Sequence, residues 1–139
     1  MSDVEVPVPH VPTDGLIARM GISIVKVTPD IAVGTMPVHG NTQPYGLLHG
    51  GASAVLAETL GSLAAMAHVL TLDPDGVAVG VDLNITHVKG TRDGHVTGTA
   101  TAIHLGRSVA SYRIVIADQK GQNLAEARLT CALRVAPAT

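Results

Sequence analysis

The sequence predicts an α+β fold in which one long central helix is wrapped by a curved antiparallel sheet. Three observations carry this. From Gly50 to Leu72 apolar residues recur at spacings of three and four, whereas from Val77 onward the period drops to two. The strand-like segments are separated by short turn sequences, which favour antiparallel neighbours. The helical stretch is apolar nearly all round, so it has to be enclosed. One enclosed helix against one curled sheet is a two-layer architecture.

Residues 1–12 hold three prolines, Asp3 and Glu5, with no apolar run, and read as a loose extended arm, not a signal peptide. Residues 13–139 read as a single domain. Thr13 to Met20 is expected to form a short helix capped by Thr13 or Asp14. Gly21 to Val27 and Ile31 to Val38 read as strands around a Thr28-Pro29-Asp30 turn, followed by a loop from His39 to Leu48. In the long helix Ala52, Val55, Leu56, Thr59, Leu60, Leu63, Ala64 and Ala67 mark the helical period. After Asp73-Pro74-Asp75-Gly76, Val77, Val79, Val81, Leu83 and Ile85 alternate along one strand face, which His87 continues. Arg92-Asp93-Gly94 predicts a hairpin. Val96 to Leu105, Val109 to Ala117 and Asn123 to Val135 complete the sheet. The last has Ala125, Ala127, Leu129, Cys131, Leu133 and Val135 on one face.

A chain of 139 residues suits one domain and can bury a core unaided by metals or disulfides. With Tyr45 and Tyr112 as its only aromatic residues, the core must be aliphatic. A net charge of −2 gives no basic footprint for nucleic acid, and stacking rings for RNA are missing. Gly50 to Leu72 is the best membrane candidate. Its Ser53, Glu58, Thr59, Ser62 and His68 favour a buried helix within a globular domain, so no membrane partner is expected. One cysteine, Cys131, excludes an intrachain disulfide and fits a reducing cytoplasm.

Glu58 is the first candidate for chemistry, as the only charged residue between Gly50 and Leu72. A carboxylate without a partner in an enclosed helix is costly to bury and tends to mark a functional site. Its plain alternative is a carboxylate facing solvent through a packing gap, or paired with a buried cation. His49-Gly50-Gly51 opens the helix, where backbone N–H groups lack partners and can hold an oxyanion. The plain alternative is an ordinary glycine-rich helix entry. His49 could orient the loop, contact a thioester or only cap a carbonyl. Gln43 and Asn41 in the preceding loop carry donor amides. Ser62 lies on the Glu58 face, placed to hold that carboxylate or a water, or to bond back to carbonyl 58. The histidines show no zinc spacing, so no metal is expected. No G-x-S-x-G elbow and no nucleotide-binding glycine loop is present.

Gln43-Pro44-Tyr45-Gly46-Leu47-Leu48-His49-Gly50-Gly51-Ala52-Ser53, running into Leu56-Ala57-Glu58-Thr59-Leu60-Gly61-Ser62, resembles the hotdog-fold thioesterases acting on aromatic acyl-CoA. Among these are the Arthrobacter-type 4-hydroxybenzoyl-CoA and the 1,4-dihydroxy-2-naphthoyl-CoA thioesterases of the PaaI-like group. The likeness runs from about Gly21 to Arg134. Val81 to His87 is similar to that family's strand after the helix, and His104-Leu105-Gly106-Arg107 to its corner near the CoA nucleotide. The resemblance implies that Glu58 is nucleophile or general base and that Gly50 N–H is the oxyanion donor. It also implies that Gln43 and His49 hold the thioester, that Ser62 positions carboxylate or water, and that His87 lines the acyl pocket. Gly51, Gly106, Arg107 and Ser108 are expected to bind substrate. No cofactor is expected, CoA being part of the substrate.

Glu58 lies eight residues beyond Gly50, roughly 12 Å along one helix. Donor and carboxylate must both reach one carbonyl, so one chain can hardly supply both. A two-fold dimer with shared sites is therefore expected, and for the whole assembly a dimer of dimers. Three functions compete: aromatic acyl-CoA hydrolysis; hydrolysis of aliphatic acyl-CoA or acyl carrier protein esters; and non-catalytic acyl-CoA binding. The lone carboxylate in an otherwise uncharged helix disfavours the last.

Overall fold

A computed structural model describes residues 12–136, so the expected arm lies, apart from Pro12, outside the described residues. The elements run α1 (Leu16–Arg19), β1 (Ser23–Val27), β2 (Ile31–Pro37), α2 (Gly50–Leu72), β3 (Val77–His87), β4 (His95–Leu105), β5 (Val109–Ala117) and β6 (Asn123–Arg134). All pairings are antiparallel and the sheet order is β1-β2-β4-β5-β6-β3. The expected helix wrapped by an antiparallel sheet is the fold observed. The short helix α1 differs in its start. Gly15 is its N-cap with no side-chain bond, so neither Thr13 nor Asp14 caps it.

Strands β4, β5 and β6 form the expected meander. The β5–β6 turn is held by Asp118, whose carboxylate accepts from the N–H groups of Lys120 and Gln122, both at 2.9 Å. The predicted hairpin at Arg92-Asp93-Gly94 is not formed. β3 pairs with β6 at the far edge, while β4 inserts between β2 and β5. The turn residues instead end a crossover over residues 88–94, anchored by Val88 N–H to Leu124 O, Leu48 N–H to Thr91 O and Val38 N–H to Gly94 O. A turn sequence encodes reversal of the chain, whereas the partner of the next strand depends on which sheet edge is open.

The core is aliphatic apart from Tyr112, whose hydroxyl donates to Pro29 O at 2.6 Å. Helix α2 lies close to the sheet because the floor beneath it is bare. Gly34 and Gly98 are register partners on β2 and β4. A Cβ on either would come within 2.9 or 2.7 Å of the Leu60 side chain. Enclosure of α2 is only partial, however. The flank through Leu56, Leu60 and Ala64 is buried, while Ala54, Val55, Glu58, Thr59, Ser62, Leu63 and Met66 form a half-buried stripe at helical spacing. This chain's own sheet does not cover that side.

Strand β3 also departs from its sequence pattern. The register shifts between Gly80 and Asp82, leaving Val81 as an extra residue that switches the inward face. Ala78 and Gly80 face the helix before the bulge, and Leu83, Ile85 and His87 after it. Val77, Val79 and Val81 therefore do not share the inner face of Leu83 and Ile85. They stay exposed, at 46, 45 and 62%. The period of two cannot reveal a bulge, because one inserted residue inverts every later side chain.

The bare floor under Leu60 is testable. Gly98→Ala should lower stability by about 1–3 kcal/mol, the usual cost of overpacking. A urea titration should show a lower midpoint with an unchanged slope.

Candidate active site

The first part of the site is built by the loop that leads into α2. Gln43 N–H donates to Leu47 O at 2.8 Å and Gly46 N–H to Gln43 O at 3.0 Å, closing a tight loop in which Gly46 takes φ +85°. Gln43 Oε1 accepts from the N–H groups of Tyr45 and Leu47, at 2.6 and 3.2 Å. Two backbone donors fix that atom as the amide oxygen, so the NH2 keeps both protons uncommitted among the described residues. Asn41 is a scaffold residue, because its amide donates to Met20 O and Pro37 O, both at 2.8 Å.

His49 is the N-cap of α2. Its Nδ1 accepts from Gly51 N–H at 2.8 Å, which places the proton of the neutral ring on Nε2. The sequence offered His49 a carbonyl to cap; the bond it forms is instead to an N–H, with His49 as the acceptor. That bond occupies the Gly51 N–H. The Gly50 N–H has no acceptor among the described residues and stands at the positive end of a 23-residue helix. The His87 ring packs against Gly50, with Nε2 2.9 Å from the point where a Cβ would sit. Gln43, Gly50, Ser53 and His87 line one cleft of about 440 Å³ together with Lys89, Gly90 and Thr91 of the crossover.

Glu58 faces a different space. It is half-buried and lines an apolar pocket of about 340 Å³ with Leu16, Ala54, Val55, Thr59 and Leu83. Among the described residues no cation lines this pocket, and the Glu58 carboxylate lies over Gly80 of β3. One turn further along α2, Ser62 faces Cys131 on β6. Burial pushes the Cys131 thiol up, the nearby Ser62 hydroxyl pulls it down, and the Glu58 charge pushes it up. Neither a Ser62 bond to Glu58 nor one to carbonyl 58 is formed among the described residues.

The corner at Gly106, Arg107 and Ser108 stands apart. Its backbone is pinned by Gly106 N–H to Val109 O, by Leu133 N–H to Ser108 O and by the buried His68, whose Nε2 lies 2.7 Å from Gly106 O. Arg107 and Ser108 are exposed. His68 is eighteen residues beyond Gly50, so this corner sits at the opposite end of α2, roughly 27 Å away. One chain thus gathers Gln43, His49, Gly50, Gly51 and His87 at the helix start, holds Glu58 and Ser62 further along, and places the corner at the far end. Sequence reasoning missed Ser53 and Lys89. Ser53 lay in the apolar pattern without a distinguishing neighbour, and Lys89 belongs to the crossover that was read as a hairpin. Among the described residues no group of three or more His, Cys, Asp or Glu side chains is placed to hold a metal.

A long helix wrapped by a six-stranded antiparallel sheet, with an uncommitted N–H at the helix start and a carboxylate two turns on, defines a hotdog-fold hydrolase. Residues 45–125 match the family model described as the thioesterase superfamily. A Deinococcus radiodurans protein named "Putative esterase" is 49% identical over 115 residues, covering 82% of this chain and 70% of its own. A crystal structure of a Haemophilus influenzae thioesterase is 38% identical, with a TM-score of 0.81 over 88% of this chain and 85% of that one. A Pseudomonas aeruginosa thioesterase, solved with a glutamine replaced by alanine, is also 38% identical, with a TM-score of 0.81 over 87 and 86%. The chain belongs to the thioesterase superfamily.

The pinned oxygen of Gln43 gives a sharp test. Gln43→Glu keeps the acceptor that the loop needs and removes the NH2. With Gln43 holding the thioester, as the resemblance implies, hydrolysis should fall about a hundredfold, the usual loss when one donor to the reacting oxygen is removed, while the thermal midpoint holds. Circular dichroism and thiol-release kinetics check both halves.

Proposed function

We propose that this protein is an acyl-CoA thioesterase that hydrolyses an aromatic acyl-CoA of benzoyl or naphthoyl type to free acid and CoA, with Glu58 as nucleophile or general base. The observation that carries this is the division of one helix into two incomplete halves: donors at Gly50 and Gln43, and a carboxylate in an apolar pocket at Glu58. Support for the pairing comes from a Staphylococcus aureus thioesterase solved with a glutamine and, separately, a glutamate replaced by alanine, fifteen residues apart as Gln43 and Glu58 are. The aromatic preference, with 1,4-dihydroxy-2-naphthoyl-CoA as the specific choice, rests on the resemblance in Gln43, Glu58 and Ser62. A second reading, an aliphatic acyl-CoA or acyl carrier protein ester, is favoured by one observation. The pocket beside Glu58 is lined by Leu16, Val55 and Leu83, and among the described residues no ring is there to stack on the acyl group.

The halves are completed by a second copy. The edge strand β3 exposes Val77, Val79 and Val81, and α2 leaves its Glu58 stripe half-covered. An apolar edge of this kind is an aggregation hazard unless paired. A two-fold axis beside β3 covers it and builds two equal sites, each with Gly50 and Gln43 from one protomer and Glu58 from its partner. Gly50 N–H and the Gln43 amide then hold the thioester oxygen. Glu58 either attacks the carbonyl carbon, giving an anhydride that water opens, or takes a proton from the attacking water. CoA leaves as its thiolate in both cases. Ser62 steadies carboxylate or water, and His49 and Gly51 hold the helix start at which the thioester sits. His87 contacts the substrate beside Gly50. The remote Gly106-Arg107-Ser108 corner serves the CoA nucleotide of a neighbouring site in a dimer of dimers. No cofactor is needed, and the buried Cys131 suits the cytoplasm.

Glu58→Gln should lower hydrolysis at least about a hundredfold, as removal of a general base does, with the fold intact. Thiol release across a panel of benzoyl, naphthoyl and C4 to C12 acyl-CoA esters should show the highest kcat/KM for the aromatic ones. Highest values for the aliphatic esters would select the second reading.

Sharing of the site is tested separately. Gln43→Ala and Glu58→Ala chains are co-expressed under different tags and the hybrid dimer is purified. One of its two sites is then intact, so about half the wild-type activity per dimer should return if the sites are independent. A folded hybrid without turnover would place both groups in one chain.

A further inference from the structure

Strand β3 has one glycine among its eleven residues. A glycine inside a strand costs backbone entropy and contributes no side-chain packing, so its presence needs a cause. Left-handed backbone is not that cause, because Gly80 is absent from the positive-φ glycines. Space is. A Cβ on Gly80 would stand 2.7 Å from Glu58 Oε1 and 3.2 Å from Glu58 Cδ. Among the described glycines, Gly80 alone has its missing side chain replaced by a carboxylate.

The next residue enlarges the same gap. The bulge turns both Val81 and Asp82 outward, so after Gly80 the next side chain facing α2 belongs to Leu83. Leu83 is itself a wall of the Glu58 pocket. On β6, the register partner of Gly80 is Cys131, buried and facing Ser62. The floor under Glu58 is therefore a stretch of β3 without side chains, bounded by Leu83 on one side and Cys131 on the other.

We propose that Gly80 is a positioning residue for the reaction: the bare floor at Gly80, widened by the Val81 bulge, seats the Glu58 carboxylate and sets the direction from which it meets the thioester. This rests on the reading of Glu58 as the reactive carboxylate. A methyl group at position 80 would meet the free end of a flexible side chain, so the fold can yield there while the carboxylate moves. A shift of about 1 Å in a reacting group is enough to cost on the order of a hundredfold in rate.

The test is a double-mutant cycle on the full chain, read by thiol release from the best acyl-CoA ester of the panel. Gly80→Ala should lower kcat between about tenfold and a hundredfold with KM changed less than about threefold, as expected when orientation and not binding is lost. In the Glu58→Ala background the same substitution should leave the residual rate unchanged, because the group it displaces is gone. Full kcat in Gly80→Ala, or an equal further loss in the Glu58→Ala background, would overturn the proposal. Wild-type turnover in Glu58→Ala alone would instead overturn the reading of Glu58, and the seat with it. Should Gly80→Ala fold poorly, Glu58→Ala combined with Gly80→Ala should recover the wild-type thermal midpoint. Failure to recover also counts against the seat.

Discussion

Leu60 packed against a glycine pair is the contact on which the rest of this structure depends. Gly34 and Gly98 lie opposite each other on neighbouring strands, and the Leu60 side chain fills the space that two side chains would otherwise take. Helix α2 can then sit low on the sheet. A core with one buried aromatic residue has little volume with which to hold helix and sheet apart, so close approach is how an aliphatic, alanine-rich helix fills its contact. Once α2 is seated, the positions of Gly50, Glu58 and His68 are fixed along one rigid rod.

That rod explains why the chemical groups fall into separate places. A straight helix separates residues by 1.5 Å each and cannot fold back on itself, so the donor at its start and the carboxylate two turns later face different pockets. The uncovered stripe of α2 and the uncovered edge of β3 follow from the same geometry. Six strands of this length wrap one flank of the helix and stop. Under the proposed function, catalysis and assembly are one constraint, since the surface left apolar is the surface beside the incomplete site.

The sequence located the elements well where the signal was local. The bounds of β3 and β5 were read as they stand, and those of β4 and β6 within one residue. The helix start was legible because His49-Gly50-Gly51 is a local cap signal. Glu58 was legible because a single charge in an uncharged helix stands out in any projection. The errors share one physical origin, which is that information about neighbours across the sheet is not local. The crossover looked like a hairpin because its turn residues are those of a hairpin. Val77, Val79 and Val81 looked inward because alternation is all that a strand shows in one dimension.

By itself the sequence determined the fold class and the identity of the helix that carries the carboxylate and the free N–H. Hydrophobic periodicity and capping are properties of consecutive residues and survive without a partner. Tertiary structure alone decided that β3 lies beside β6, that the Val81 bulge puts Leu83 and Ile85 on the face opposite Val77 and Val79, and that Gln43 offers its NH2 because its oxygen is held by the backbone. It alone put Gly80 beneath Glu58. Each of these depends on groups distant in the chain competing for one space or one hydrogen bond, and that competition is settled only when the sheet closes around the helix.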